Sequence, residues 1–494
     1  MKYVISTKRK TNLFTLKPLL VAIGLTALTG FASAGESDKN RLPEIGTAGG
    51  SILSLDKEQQ IGNALKRQLR GSQPLINDPV LMEYINDLGN QLVKHAIDVS
   101  YPFDFFFINN KELNAFAFFG GHVGIHSGLL TTADSESELA SVLAHEISHV
   151  TQRHLARRLE SQSKSQPLTM AGMISGVLLT LVNPTVGMAA LSTSMAAQQQ
   201  AGINYTRGNE KEADRVGIAL LANSGFDPQA APQFFAKMAE QYRYKSKPPA
   251  MLLTHPLPES RISDARLRAQ NFAPNPQAPK LSFELAKARI QARYEGNPKD
   301  NIKNFNYLIE KSRYKLKPAA EYALALAYFE DKQYSQAKKI LSRLFSRDKT
   351  NLFYADALSD VYIQLKQFDQ GIKMLSELNQ LMPNNQVVAL NFANTLMEAK
   401  KYQQAADILN DFLLVKPDNF IAYDLLTSVY RRFGKTALMH VNRAETLALL
   451  GNYQRAIDEL QTGYEFADGK PLVQKRIKAR VLQFQEQENS LKRL

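Results

Sequence analysis

The 494-residue chain contains no cysteine. That excludes disulfide bonds and lipid anchoring through a cysteine. It also lacks a run of the roughly 20 apolar residues that a stable bilayer span needs. The two nearest candidates, residues 18–30 (PLLVAIGLTALTG) and 168–182 (LTMAGMISGVLLTLV), are both too short. Acidic residues are in deficit, 47 against 60 Lys+Arg, for a formal charge of +13.

What is present explains part of this. The first short apolar run follows Lys2, Lys8, Arg9 and Lys10 and precedes Ala32-Ser33-Ala34, the layout of a secretory signal with an A-x-A cleavage site. Residues 1–34 are expected to be removed after Ala34, leaving a polar, Gly- and Ser-rich lead-in over 35–55. An exported chain without cysteine fits the bacterial periplasm better than a disulfide-forming secretory route. Residues 271–494 hold 33 Lys+Arg and 24 Asp+Glu, so the mature chain's basic excess belongs to its C-terminal half. Export argues against nucleic acid as the partner of that half. An acidic protein, an anionic membrane surface or a solvated basic helical face remain.

The chemistry centres on residues 141–150, SVLAHEISHV. Ser135-x-x-Glu138 reads as a capping box, and Leu139, Val142, Leu143, Ile147 and Val150 recur at helical spacing. Within that helix, His145-Glu146-Ile147-Ser148-His149 is an H-E-x-x-H pattern. Positions i and i+4 share a helical face, so two imidazoles can reach one zinc. Glu146, beside that face, can accept a proton from water activated by the metal. Downstream, Asn209-Glu210-Lys211-Glu212-Ala213-Asp214 opens a second helical run that stops at Gly225. There Glu210 is a candidate third ligand and Asp214, one turn on, its supporting partner.

In combination these motifs resemble the gluzincin-type zinc peptidases of the Ste24/HtpX/Oma1 class, whose H-E-x-x-H is followed by E-x-x-A-D on a later helix. Two further matches are Asn114-Ala115-Phe116-Ala117 upstream, with Gly120-Gly121 and Gly128, and His255-Pro256 followed by Arg261 downstream. The resemblance covers residues 56–270. It implies one zinc per chain, held by His145, His149 and Glu210. It also implies a strand at Asn114–Ala117 whose free edge takes substrate in extended form, and a position for His255 at the site. His255 is expected as a fourth ligand that latches the site or as an oxyanion donor, and Arg261 as a transition-state donor. Of the other histidines, His154 is expected on the surface, half a turn off the ligand face of a continuous helix. His122 and His126 are expected as exposed or hydrogen-bonded strand residues, and His95 and His440 have no context.

Residues 56–98 read as helical, 103–109 as a strand, and 114–130 as strand, bend and strand. Residues 168–197 are expected to form a soluble helical hairpin near the cleft, touching a membrane or lining a substrate path, with a plain buried pair of helices as the alternative. Proline-rich 271–280 marks a boundary. Beyond it Tyr334, Phe368 and Tyr402 recur every 34 residues, as do Ala337, Gly371 and Ala405, and Leu341, Leu375 and Leu409. This is the period and residue order of tetratricopeptide repeats. About four are expected, the first degenerate over 283–316 and the last reached from Tyr402 by an irregular 51-residue step to Tyr453.

The expected fold is therefore mainly α: an α+β peptidase domain with a small edge-exposed sheet (56–270), then an α-solenoid (271–494). An export signal joined to this pair of domains resembles envelope proteases of the class. That implies unfolded or misassembled outer-membrane proteins as substrates, with the repeats contacting the barrel-assembly machinery. A non-catalytic chaperone or adaptor with structural zinc, and a broad scavenging peptidase, are the alternatives.

Overall fold

The computed structural model describes residues 53–165, 196–243 and 250–493. The signal segment 1–34, nearly all of the lead-in, and residues 168–195 of the apolar insertion lie outside the described residues. Within the described residues no helix is long and apolar enough to cross a membrane.

The expected helical stretch resolves into α1 (Leu55–Ser72) and α2 (Pro79–Val93). Local chemistry sets both starts. Ser54 Oγ accepts from Lys57 N and Asp78 Oδ1 from Leu81 N, and Pro79 occupies the first turn, where its missing N–H leaves no bond unmade. Three short strands follow, β1 (Asp104–Ile108), β2 (Ala115–Phe118) and β3 (His122–His126), in the order β1-β3-β2. β3 runs parallel to β1 and antiparallel to β2, which makes β2 an edge strand. The bend between β2 and β3 needs Gly120 and Gly121, whose φ angles are +77° and +78°.

Five helices of this half build the site: α4 (Glu136–Thr151), α5 (His154–Ser165), α6 (Ala196–Asn223), α8 (Ala250–Thr254) and α9 (Glu259–Ala269). A short α3 (Ser127–Thr132) precedes α4, and α7 (Ala230–Tyr242) lies between α6 and α8 in sequence. The apolar stripe of α4 (Leu139, Leu143, Ile147) is buried with Leu81 and Ile85 of α2 and with Phe105, Phe107, Val123 and Ile125 of the sheet. Truncating one such residue to Ala costs about 2–5 kcal/mol.

After irregular residues 273–280 the chain is a stack of helix pairs, α10 (Leu281–Arg289, continued by a π turn over Ile290–Tyr294) with α11 (Pro298–Glu310), then α12 (Lys317–Glu330) with α13 (Tyr334–Arg347), α14 (Leu352–Gln364) with α15 (Phe368–Leu381), α16 (Gln386–Glu398) with α17 (Tyr402–Val415), α18 (Phe420–Phe433) with α19 (Thr436–Leu449), and α20 (Tyr453–Glu465) with α21 (Pro471–Lys492). Six pairs replace the expected four. The 51-residue step hides α19, which begins on the period, at Thr436, 34 positions after Tyr402. A threonine there in place of an aromatic concealed it.

The same apolar core runs from Ile76 to Val388 without a break. Where α2 meets the stack, Arg289 Nε donates to Asp78 Oδ2 at 2.6 Å, its Nη2 lies 2.6 Å from Asp356 Oδ2, and its Nη1 donates to the Tyr322 hydroxyl at 2.9 Å. At the other end Arg67 donates to the Tyr453 hydroxyl and Arg70 to the Leu449 carbonyl at 3.3 Å. The array thus curves back to touch both α2 and α1.

Candidate metal centre

α4 carries the first donors. Ser135 Oγ accepts from Glu138 N at 3.2 Å, while Glu138 Oε2 reaches back to Asp134 N at 2.7 Å, one residue short of a reciprocal capping box. α6 crosses α4 at closest approach through Gly217, where an added Cβ would lie 3.2 Å from His145 Cα and N. Only glycine allows that approach without displacement, and it brings Glu210, two turns earlier, over the two histidines.

Four donors converge: His145, His149, Glu210 and His255 offer atoms that all lie within 4.8 Å of one another. His145 Nε2 is 3.0 Å from His149 Nε2, 3.4 Å from Glu210 Oε2 and 3.4 Å from His255 Nδ1. His149 Nε2 and His255 Nδ1 stand 3.4 and 3.1 Å from Glu210 Oε1. Donors about 2.0–2.1 Å from a tetrahedral zinc would be separated by about 3.3 Å, so this set fits such an ion. Charge fits as well. Glu146, Glu210 and Asp214 against Arg261 leave a formal balance of two negative charges among buried groups, which a dication offsets. Burial would raise the Glu210 carboxyl, but His255, His149 and His145 outweigh it and hold it well below the usual range.

Glu146 is 1% exposed, and its Oε1 accepts no hydrogen bond, with His255 Nε2 standing 3.5 Å away. Asp214 was expected to support Glu210. Instead its Oδ1 lies 3.1 Å from Nδ1 of His145, and it touches Glu210 only through Arg261. Arg261 Nε and Nη2 hold both Asp214 oxygens at 2.8 and 2.7 Å, while Nη1 lies 2.8 Å from Glu210 Oε2 and donates to the Pro256 carbonyl at 2.7 Å. With every guanidinium nitrogen engaged, Arg261 braces the ligand shell and the His255 loop, which corrects the expectation of a transition-state donor.

His154 is a further correction. It is 4% exposed, not a surface residue. The helix does not continue to His154: α4 ends at Thr151, and Arg153 takes φ +51°. Arg153 is held there by Glu58, at 3.0 Å from its Nε, and by the Leu53 carbonyl at 2.8 Å. The break turns His154 inward, its Nδ1 2.9 Å from Nδ1 of His149 and its Nε2 3.1 Å from Glu212 Oε2. No glycine or proline stands at the break to announce it.

Along the edge strand, Asn114, Ala115 and Phe116 are fully buried and Ala117 is partly exposed. Neither side-chain amide atom of Asn114 is hydrogen bonded. His122 is buried between Asp104 (3.4 Å) and Asn63 (3.0 Å), and burial pushes His126 down to about 4. His440 pairs with Glu459 at 2.7 Å.

The segment that builds this centre, residues 80–269, matches Peptidase family M48, and residues 362–429 match a tetratricopeptide repeat. Over 348 residues the chain is 48% identical to the beta-barrel assembly-enhancing protease of Escherichia coli strain K12, covering 70% of this chain and 72% of that protein. The chain belongs to the beta-barrel assembly-enhancing proteases. The relative from Yersinia pestis is also 48% identical, over 68% of this chain and 70% of its own. The mitochondrial metalloendopeptidase OMA1 of Arabidopsis thaliana is 31% identical over 27% of this chain and 25% of its own. As a member of this family the protein is a metallopeptidase, and its fold is the expected one, a small-sheet peptidase domain followed by helical repeats.

Proposed function

We propose that the protein is a zinc-dependent endopeptidase of the bacterial periplasm that degrades misassembled or stalled outer-membrane beta-barrel proteins and assists their assembly through its repeats. The observation that carries the catalytic part is Glu146, a buried carboxylate beside two histidine donors with an oxygen that accepts no hydrogen bond. A structural metal site needs ligands but no such base. The names of the relatives support the substrate class, and the signal-like layout of residues 1–34 supports the compartment.

In this reading His145, His149 and Glu210 hold the zinc, which when bound supplies Lewis acidity to water and to a peptide carbonyl. Glu146 takes the proton of the attacking water and returns it to the leaving amine. Asp214 orients His145, and Arg261 fixes Asp214 and Glu210. An extended client segment adds to the β2 edge along Asn114–Ala117 by backbone hydrogen bonds once the site opens, since Asn114, Ala115 and Phe116 are covered in the latent form. His255 completes a four-donor set, so the described conformation is the latent one.

Client capture tests the reading. A zinc-loaded Glu146→Gln variant should retain barrel precursors that the wild type cleaves. Equal capture of unrelated unfolded proteins would make it a scavenger, and capture without cleavage by the wild type would make it a chaperone.

A further inference from the structure

We propose that His154 and Glu212 form a positioning pair that fixes the ring of His149 for the metal; this rests on the metallopeptidase reading above. His149 turns its Nε2 toward His145 and Glu210, at 3.0 and 3.4 Å. An imidazole that donates its Nε2 lone pair to a metal carries its proton on Nδ1. That Nδ1 faces Nδ1 of His154 at 2.9 Å, a distance that requires one proton between the two nitrogens. The proton is therefore on His149, and His154 accepts it. A neutral His154 that accepts at Nδ1 carries its own proton on Nε2, and Nε2 lies 3.1 Å from Glu212 Oε2. The same carboxylate oxygen accepts from Arg157 Nη1 at 2.9 Å. Each proton along the line Glu212–His154–His149 has one place to be.

The two histidine ligands are thus held differently. His145 Nδ1 stands 3.1 Å from a carboxylate oxygen of Asp214 itself, whereas His149 reaches a carboxylate through a second imidazole. The fold maintains this at a cost in backbone conformation. Arg153 is a non-glycine residue at positive φ, kept there by Glu58 and Leu53 from α1 and its approach. Strained positions of this kind persist where the surroundings over-determine them. Here the strain is what turns His154 from the solvent side to His149.

The test uses the full chain and zinc itself, with affinity read by chelator competition. Wild-type binding checks the catalytic reading, and the variants check this one. His154→Leu should weaken zinc about 10–100-fold, the usual loss when a ligand's outer partner is removed. His154→Asn, whose Oδ1 falls near the place of Nδ1, should restore most of it. Glu212→Leu, at a partly exposed position, should lose about tenfold. With cobalt(II) as the probe, the visible absorption should shift in His154→Leu and stay unshifted in His154→Asn. Zinc affinity unchanged in His154→Leu or in Glu212→Leu would overturn the proposal. So would a His154→Asn variant as weak as His154→Leu, since the role would then be packing alone. If His154→Leu fails to fold, Glu212→Leu and His154→Asn decide.

Discussion

His255 presents Nδ1 to Glu210 at 3.1 Å and Nε2 to Glu146 at 3.5 Å, so one buried imidazole spans a ligand carboxylate and the proposed proton acceptor. With four protein donors around an ion, no position is left for water. Replacing His255 by Ala should open that position and raise basal proteolysis, with self-cleavage visible on gels. A fall of about two orders of magnitude in cleavage rate would instead assign His255 to the oxyanion.

Glu146→Gln keeps the shape of a side chain that donates no ligand atom. Metal analysis should find the wild-type zinc content, and cleavage of an unfolded protein substrate should drop about 10²–10⁴-fold. Retained cleavage at full zinc content would refute the role.

Arg289 is wholly enclosed between Asp78, Asp356 and Tyr322, where the peptidase half meets the repeats. Arg289→Leu leaves two buried carboxylates without their cation and should lower stability by about 3–5 kcal/mol in urea or guanidinium unfolding. Replacing Arg289, Asp78 and Asp356 together by apolar residues should recover most of that loss.

Asp104 gives a dependence on pH. Burial raises its carboxyl, but Lys66 at 2.6 Å and His122 at 3.4 Å outweigh burial and hold it low. A carboxyl depressed on folding adds stability above its unfolded value, about 3.9, and that contribution is lost as pH falls toward the folded value. The denaturant midpoint of the wild type should exceed that of Asp104→Asn at pH 6, and the gap should close on acidification below about pH 4. A gap that does not change with pH would deny Asp104 this part.

Much of this arrangement could be read in advance because helices turn spacing into geometry. His145, Glu146 and His149 lie within one turn or so of α4, and Glu210 and Asp214 within one turn of α6. The alternation of Phe116 and Phe118 marked β2, and the 34-residue period marked the helix pairs. What escaped depended on distant residues. The break before His154 is held by Glu58, 95 positions upstream, and no pattern around residue 153 encodes it. Arg261 was expected as a transition-state donor, and its engagement escaped notice because Asp214 becomes its neighbour only when α9 packs against α6. Gly217 could have been noticed, seven residues after Glu210 and so on the same face of α6, although its meaning comes from α4.

The bond from Arg67 to the Tyr453 hydroxyl joins positions 386 residues apart. Closing a flexible loop of that length costs about 5 kcal/mol in chain entropy before any constant term, more than one hydrogen bond returns. The contact therefore cannot nucleate anything. It becomes favourable only after the intervening helices have stacked by their short-range contacts and carried Tyr453 to α1. α1 is itself seated locally, its Ile61, Leu65 and Leu69 buried with Phe106, Phe116 and Phe118 of the sheet, so the last repeats clasp an element that already holds Arg153 through Glu58. The joint between α1 and Tyr453 should thus form late, after the repeats have stacked, and act as a clasp on a peptidase half that is already packed.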